Sequence, residues 1–317
     1  MKNLENVYHG LRYVGYPCMN RTLRERSPPI RANRGLQMKT LEQKGLSYVS
    51  SLIEQNLKDL RTILQWNVDN NIFFYRCTSN LFPKNSQYEI DNIPNYSSIN
   101  SLCQEIGDFI KENNVRLSFH PDHWVKLASP TQSVVENSLE TIENHAEWYS
   151  LFGLESSPLH PINIHIGAHY SDKNATRDRL VSHYNNLSQN AQNHLVLEND
   201  DTTSLWSVSE LKEIGRDHNI PIKFDYLHHY FTDRGLTYQD AFNQCKTTWP
   251  TDIPPVTHYS EPRRLYSLDT ETQPKAHSEY VQDIPEWLIQ QSSVMIEANS
   301  KEKAVFQFRS TRINSSI

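Results

Sequence analysis

Histidine and acidic side chains recur at the ends of short apolar segments, an arrangement typical of metal-binding sites. The segment RLSFHPDHW, residues 116–124, is an apolar run that ends at His120. The other residues of this kind are His165, Glu198 in LVLEND, Asp225 and His228 in KFDYLHH, His258 and Glu297. A further histidine, His277, lies on the long loop that follows the segment of His258. Imidazole and carboxylate groups are the usual ligands of first-row and hard divalent cations. They are more numerous than one ion can use, so the sequence predicts two or three ions.

Clustered divalent ions are suited to phosphodiester hydrolysis. One ion generates hydroxide from water, while the others neutralise the attacked phosphate and the leaving oxygen. This chemistry requires that the candidate ligands, which are far apart in the sequence, meet at one place in the fold.

The predicted secondary structure brings these residues together. Strands are predicted at about 11–16, 72–77, 115–120, 162–166, 194–199, 221–225, 255–259 and 293–298. Most are near-continuous apolar runs, as expected for strands buried on both faces of a parallel sheet. Amphipathic helices lie between them, including SLIEQNLKDLRTILQWNV, a helix with Ser98 as its N-cap, and a helix that ends just before Gly153.

Strand followed by helix, repeated eight times, predicts an α/β fold, a (β/α)₈ TIM barrel. In this fold the C-terminal ends of the strands face one mouth, where the loops build the active site. A doubly wound open sheet is the alternative, but the sequence has neither GxGxxG nor GxxxxGK[ST]. We expect one catalytic domain over residues 1–305 and a peripheral C-terminal tail over 306–317.

Composition narrows the class of protein further. No window approaches eighteen consecutive apolar residues and no apolar signal segment is seen, so neither a membrane span nor secretion is predicted. The four cysteines are widely spaced and predict reduced thiols rather than a zinc ribbon or disulfides. A net charge of −6 argues against nucleic-acid binding through overall charge. A local basic segment nevertheless runs from Arg21 to Lys44.

Several motifs, in order along the chain, resemble those of the UV damage endonuclease family. They are RYVGYPCMN, NIFFYRCTSNLFP, RLSFHPDHW, LVLEND, IKFDYLHH and VMIEANSKEKA, and they extend from about residue 12 to about residue 305. The resemblance implies a metal-dependent barrel similar to endonuclease IV and the xylose isomerases. It also implies an enzyme that nicks double-stranded DNA 5′ of cyclobutane pyrimidine dimers, 6-4 photoproducts and some other lesions, leaving a 3′-hydroxyl and a 5′-phosphate.

The resemblance assigns metal ligands to this sequence at the same strand-end residues. They are His120, His165, Glu198, Asp225, His228, His258, His277 and Glu297. Glu198, Glu297 and His228 are assigned to catalysis. Mn²⁺ is the first choice of metal, with Mg²⁺, Zn²⁺ or Co²⁺ as alternatives, and no small-molecule cofactor is expected.

Two residues depart from the family pattern. Asn80 stands where some members have a histidine ligand, and its carbonyl oxygen is an additional candidate ligand. Val256 stands where members commonly have a lysine, two residues before the histidine of the seventh strand. Both departures bear on whether a third ion binds.

The resemblance also implies a set of DNA-binding residues. His123 and Trp124 match a pair that is wedged into the duplex at the lesion, although the family often has glutamine before the aromatic. Tyr16 matches a family tyrosine at the end of the first strand, and Asn20 follows that strand. Tyr170 and Lys173 lie on the loop after the fourth strand and are expected to contact phosphate. The expected partner is UV-damaged duplex DNA, with no membrane, and the chain is expected to be a monomer in the cytoplasm or nucleus.

Three alternative functions remain open. A sugar isomerase or epimerase could use the same barrel, although the many histidines and Trp124 argue against it. A damage-binding protein that has lost catalysis is kept open by Asn80 and Val256. An endonuclease acting mainly at abasic sites is the third.

Overall fold

The computed structural model describes residues 10–266 and 273–314, and a parallel β-barrel lies at its centre. Its strands are β1 (Val14–Pro17), β2 (Phe74–Arg76), β3 (Arg116–Ser118), β4 (Ile162–His165), β5 (Leu195–Glu198), β6 (Ile222–Asp225), β7 (Val256–Tyr259) and β8 (Ser293–Ile296). Their order is β3-β2-β1-β8-β7-β6-β5-β4, with every neighbouring pair parallel. A parallel bridge between Phe119 and Ile162 joins β3 to β4 and closes the ring. The structure confirms the eight predicted strands and the TIM barrel.

Helices surround the barrel. They are α1 (Arg21–Arg24), α2 (Met38–Asp69), α3 (Tyr96–Glu112), α4 (Gln132–Leu151), α5 (Lys173–Tyr184), α6 (Gln189–His194), α7 (Val208–His218), α8 (Tyr226–Thr232), α9 (Tyr238–Lys246), α10 (Glu286–Gln291) and α11 (Glu302–Asn314). Short 3₁₀ turns occur at Asn85–Gln87, Ile90–Asn92 and Arg263–Leu265. Helices on the outside of the barrel leave its mouth to the strand ends and loops.

The apolar core has two parts. A large cluster fills the space between the strands and the outer helices. A small separate cluster contains Phe74, Val196, Trp249, Val256 and Met295, with one member each from β2, β5, β7 and β8 and Trp249 following α9. Side chains alternate between the two faces of a strand, so residues two apart on β5 or β7 point the same way. Residues above this small cluster, including Glu198 and His258, therefore point into the barrel interior.

Most predicted helix features are present, with one exception at a helix start. The amphipathic segment 51–68 lies within α2, which is interrupted at Gly45, where φ is 67°. Gly153 has φ of 61° and follows the C-cap of α4, as predicted for a C′ glycine. The prediction of Ser98 as an N-cap is wrong: Asn95 is the N-cap of α3, and Ser98 lies in its first turn.

The C-terminal segment differs from the expected peripheral tail. Helix α11 runs across residue 306, and Phe308 is completely buried in the large core cluster. Arg309 donates hydrogen bonds to the carbonyl oxygens of Leu11 at 2.7 Å and Asn70 at 3.1 Å. These contacts tie the helix to both ends of the first strand–helix unit, so residues 306–312 are part of the packed domain.

Two expectations from composition concern membranes and thiols. Within the described ranges, no helix combines the length and apolar character needed to cross a bilayer. All four cysteines are free, and three of them are buried, namely Cys77, Cys103 and Cys245.

Candidate metal centre

Six strand ends bring histidine and carboxylate groups to the same mouth of the barrel. His165, Glu198 and Asp225 are the last residues of β4, β5 and β6. The parallel register places His165 beside Glu198 and Asp225 beside His258. Glu297 directly follows β8, and His120 lies two residues after the end of β3. Parallel pairing alone therefore collects these residues, as the sequence predicted.

The first group of candidate ligands consists of His120, His165 and Glu198, whose ligand atoms lie within 4.8 Å of one another. The Nε2 of His120 is 3.8 Å from Oε2 of Glu198, and the Nε2 of His165 is 3.7 Å from Oε1. The two rings are tilted at 39°, with centroids 5.4 Å apart. Two neutral imidazoles and one carboxylate are a common ligand set for a first-row divalent ion.

The second group consists of Glu198, Asp225 and His258 and shares its glutamate with the first. The Nδ1 of His258 is 3.0 Å from Oε1 of Glu198 and 3.6 Å from Oδ2 of Asp225. That Oδ2 atom is buried and accepts no hydrogen bond from the described residues. A buried carboxylate oxygen without a donor is costly unless a cation occupies the space beside it. The donor set and this unpaired oxygen both fit a divalent ion.

Three further predicted ligands lie around these groups. The Nδ1 of His228 is 3.5 Å from Oε1 of Glu198, and Oε1 of Glu297 is 3.3 Å from Nδ1 of His258. His277 is half-buried on the loop after β7, where it forms a backbone bridge with Pro262. His277 is one of the groups that lower the pKa of Glu297, after His258 and Arg76.

Two cations that sequence reasoning missed also face this cluster. Lys223, in the middle of β6, has only 1% of its side chain exposed. Its Nζ donates a hydrogen bond to Nε2 of His258 and is 3.8 Å from Oε2 of Glu198. Arg76, the last residue of β2, pairs with Glu297, and its Nη1 is 3.2 Å from Nε2 of His258. A charged residue inside each of the apolar strands PIKFD and IFFYRC was the signal available in the sequence.

The carboxylates of Glu198 and Glu297 are held in their ionised form. Burial alone would raise the pKa of Glu198, but His258, His165 and Lys223 outweigh it and hold that pKa well below its usual range. The pKa of Glu297 is also held low against burial, by His258 and other neighbouring cationic groups. Metal ligands must be deprotonated, so this electrostatic environment favours metal binding.

The pKa values of Lys223 and His228 are shifted in opposite directions. Burial lowers the pKa of Lys223 to about 8 against the opposing effect of Glu198. Burial also acts to lower the pKa of His228, but Asp225 and Glu198 raise it to about 9. A proton and a metal ion therefore compete for the His228 ring.

A cavity of about 240 Å³ lies beside the first ligand group. It is lined by the ligands His120, His165 and His228 and by the loop residues His123 and Lys126, among others. His123 is exposed, and the next residue, Trp124, has 48% of its surface exposed. A large exposed aromatic at the rim of a metal cluster is available to a ligand.

Two of the predicted DNA contacts are corrected by burial. Tyr16 is completely buried, with its hydroxyl donating to Oδ1 of Asn67 at 2.6 Å and accepting from Nδ2 of Asn20 at 2.8 Å. Asn20 is 1% exposed and caps α1 by accepting from the amide of Leu23. Tyr16 is bonded to Asn67 on α2 and Asn20 is bonded to Tyr16, so neither side chain reaches the surface.

The other predicted contacts differ in how accessible they are. Tyr170 is 36% exposed, and the guanidinium of Arg179 lies 5.5 Å from its ring centroid. The ammonium of Lys173 is already used: it donates to Oε1 of Glu210 at 2.5 Å and to the carbonyl of Leu205 at 2.7 Å. That pairing argues against the predicted phosphate contact of Lys173.

Asn80, the additional candidate metal ligand, has an exposed side chain, and its role as a ligand stays a prediction.

Comparison with known protein families decides the relationship. The sequence model of the family described as UV-endonuclease UvdE matches residues 12–315. The chain belongs to the UvdE family. A UV-damage endonuclease of Schizosaccharomyces pombe is 31% identical over 302 residues, which is 93% of this chain and 49% of the relative. The chain thus spans about half the length of that relative. A UV DNA damage endonuclease of Clostridium perfringens is 29% identical, over 91% of this chain and 68% of the relative.

Solved structures agree with the UvdE assignment. The crystal structure of SacUVDE matches with a TM-score of 0.79 and 27% identity, over 96% of this chain and 98% of that one. Endonuclease IV from Thermus thermophilus matches with a TM-score of 0.54 at 12% identity, over 79% of this chain and 93% of that one. At that identity the second likeness shows the fold alone.

Proposed function

We propose that this UvdE-family chain is a metal-dependent DNA repair endonuclease that nicks the backbone 5′ of UV photoproducts, leaving a 3′-hydroxyl and a 5′-phosphate. Cyclobutane pyrimidine dimers and 6-4 photoproducts are the proposed substrates, with abasic sites as a further class. The observation that carries the proposal is Glu198, a buried carboxylate shared by two groups of candidate metal ligands at the open mouth of the barrel. The proposed partner is duplex DNA, and the chain is proposed to act as a monomer in the cytoplasm or nucleus.

The residues of the centre have separate roles in this proposal. Divalent ions, two or three per chain with Mn²⁺ first, would supply hydroxide from water and neutralise charge on the attacked phosphate. His120 and His165 would hold one ion with Glu198, and Asp225 and His258 would hold another with it. His228, Glu297 and His277 complete the proposed set. Arg76 and Lys223 offset part of the carboxylate charge that remains when ions are absent.

The loop after β3 is proposed to detect the lesion. A photoproduct stacks poorly, so inserting side chains and extruding bases costs less there than in intact duplex. His123 lines the cavity beside the ligands and Trp124 is exposed next to it. Exposed cations also lie in the segment between β1 and α2, as a phosphate-binding surface requires. They are Arg21 and Arg24 on α1 and Arg26 and Arg31 after it.

A nicking assay on defined duplexes tests the proposal. Duplexes with a single cyclobutane dimer, a single abasic site or no lesion are incubated with the purified chain across a Mn²⁺ titration and with chelator. We expect a nick 5′ of the dimer with a 3′-hydroxyl and a 5′-phosphate, and no nick with chelator. Lesion-selective binding without a break at any Mn²⁺ concentration would support a damage-binding protein instead. Preference for the abasic duplex would favour the third alternative, and aldose–ketose interconversion without nicking would favour the sugar enzyme.

Trp124→Ala is expected to reduce discrimination between damaged and intact duplex by about tenfold, because one aromatic–base stack is worth about 1–3 kcal/mol. Metal content should not change, since Trp124 is not among the ligands. The measurement is the ratio of nicking rates on dimer and undamaged duplexes. Trp124→Phe is the matched control and should keep most of the discrimination. An unchanged ratio in Trp124→Ala would contradict the proposed role in lesion detection.

A further inference from the structure

Lys126 places an ammonium group in the cavity beside the metal ligands. It lies two residues after Trp124 and lines the cavity together with His120 and His165. Its Nζ packs on Gly167, two residues after the end of β4. A Cβ added to that glycine would lie 1.8 Å from Nζ and 3.1 Å from Cε. Gly167 also has φ of 64°, which disfavours other residues. The missing side chain at Gly167 makes the space that the ammonium occupies.

This ammonium has no hydrogen-bond or ion-pair partner among the described residues, unlike Lys173. Burial lowers the pKa of Lys126, and the acidic groups that oppose this effect, Asp200 and Asp201, already have partners of their own. Oδ2 of Asp200 accepts from the amides of Gly167 and Trp206, each at 3.3 Å. Oδ1 of Asp201 is 3.0 Å from Nζ of Lys275. A partly buried cation without a direct partner is costly unless an anion binds it.

We propose that Lys126 binds a backbone phosphate of the DNA strand at the metal centre, and that Gly167 makes this possible by leaving room for the ammonium. The inference rests on the proposed function. DNA presents phosphates at every step of the backbone, and lysine is a compact point charge suited to binding them. Lys126 shares its cavity with three candidate metal ligands, so the phosphate it holds belongs to the segment of strand at the centre.

Lys126→Met tests the contact because it removes the charge and keeps most of the side-chain volume. We expect duplex affinity to fall by about tenfold at low salt, as for the loss of one charged hydrogen bond. The slope of log affinity against log salt should become shallower by about 0.9, the change for one phosphate contact. Lys126→Arg keeps the positive charge, so it should retain part of the duplex affinity and part of the salt slope that Lys126→Met loses. Lys246→Met is the control, because that lysine lines a groove with Ser293 at the opposite end of the barrel.

Gly167→Ala provides a second test that leaves the charge in place. The added methyl group must displace the ammonium, so the same loss of affinity and of salt slope is expected. In the double variant Lys126→Met/Gly167→Ala, the two losses should not add, because both remove one contact. Metal content and thermal unfolding are measured on every variant to show that the centre is intact.

The outcomes separate this inference from the proposed function. If Lys126→Met lowers thermal stability but leaves the salt slope unchanged, the lysine only balances the charge of Asp200 and Asp201, and the inference is overturned. Additive losses in the double variant would overturn the role of Gly167. A wild-type chain that nicks dimer duplexes while Lys126→Met has normal affinity leaves the proposed function standing without this contact. A wild-type chain that neither binds nor nicks DNA would overturn both.

Discussion

Glu198→Gln is expected to abolish DNA nicking and to lower the metal content of the purified chain. Glu198 is 1% exposed and is the carboxylate common to both ligand groups. Glutamine keeps the size of the side chain but removes the negative charge that both groups share. Removing a residue that only orients a metal ligand typically lowers metal affinity or activity by about 10–100-fold. Loss of a shared ligand should therefore lower the nicking rate by more than about 100-fold.

The measurement for Glu198→Gln combines the nicking rate on a dimer duplex with metal content after dialysis. Glu112→Gln is the matched control, since Glu112 is exposed at the end of α3 and belongs to neither ligand group. Thermal unfolding of the metal-free proteins shows whether the substitution has damaged the fold. Normal nicking by Glu198→Gln, with normal metal content, would show that the assignment of the shared ligand is wrong.

The positions of the strands and of most candidate ligands could be predicted because each depends on local sequence. Short apolar runs mark buried parallel strands, and the register of a barrel brings all their C-terminal ends to one face. Asp225 and His258, which are 33 positions apart in the sequence, meet because β6 and β7 pair side by side. The fold and the clustering of ligand-type residues therefore follow from pattern alone.

Side-chain direction and pairing could not be read in the same way. Tyr16 ends up beneath the surface because its hydroxyl bonds to Asn67 on α2, a contact between residues 51 positions apart. Lys173 was expected on the loop after β4, but it is the first residue of α5 and its charge is paired with Glu210 on α7. Both partners are contributed by other elements, so only the packed structure shows which polar groups stay free for a ligand.

Lys223 on β6 supplies the cation that β7 lacks at Val256. The sequence has Val256 on β7 where a lysine was expected, which suggested that no cation would reach the cluster from that position. The register pairs Phe224 with Thr257 and Asp225 with His258, so Lys223 and Val256 are the next pair along the same two strands. Each lies two residues before a residue of the second ligand group and points to the same side of its strand. The cation thus reaches Glu198 and His258 from β6.

Lys223→Met is therefore expected to lower the nicking rate by about 10–100-fold, the range for groups that orient metal ligands. With divalent ions bound it should leave thermal stability nearly unchanged, because the ions then balance the charge of Glu198. The metal-free variant should be less stable than the metal-free wild type, since a buried carboxylate loses one of its cationic partners. The measurement is nicking on a dimer duplex together with thermal unfolding. A parallel loss of stability and activity with ions bound would indicate a general structural role instead.

The exchange variant Lys223→Val/Val256→Lys tests whether the cation or its strand matters. Val256 is completely buried inside the barrel, packed in the small cluster with Phe74 and Met295. A lysine at position 256 would lie beside position 223 on the neighbouring strand, and its side chain would extend toward the same carboxylates. We expect the exchange to recover most of the activity that Lys223→Val loses, since the charge returns to the cluster and the volume of the pair is conserved. If the double variant is no more active than Lys223→Val, the lysine must be on β6 to function. The idea that either strand can supply the cation would then be wrong.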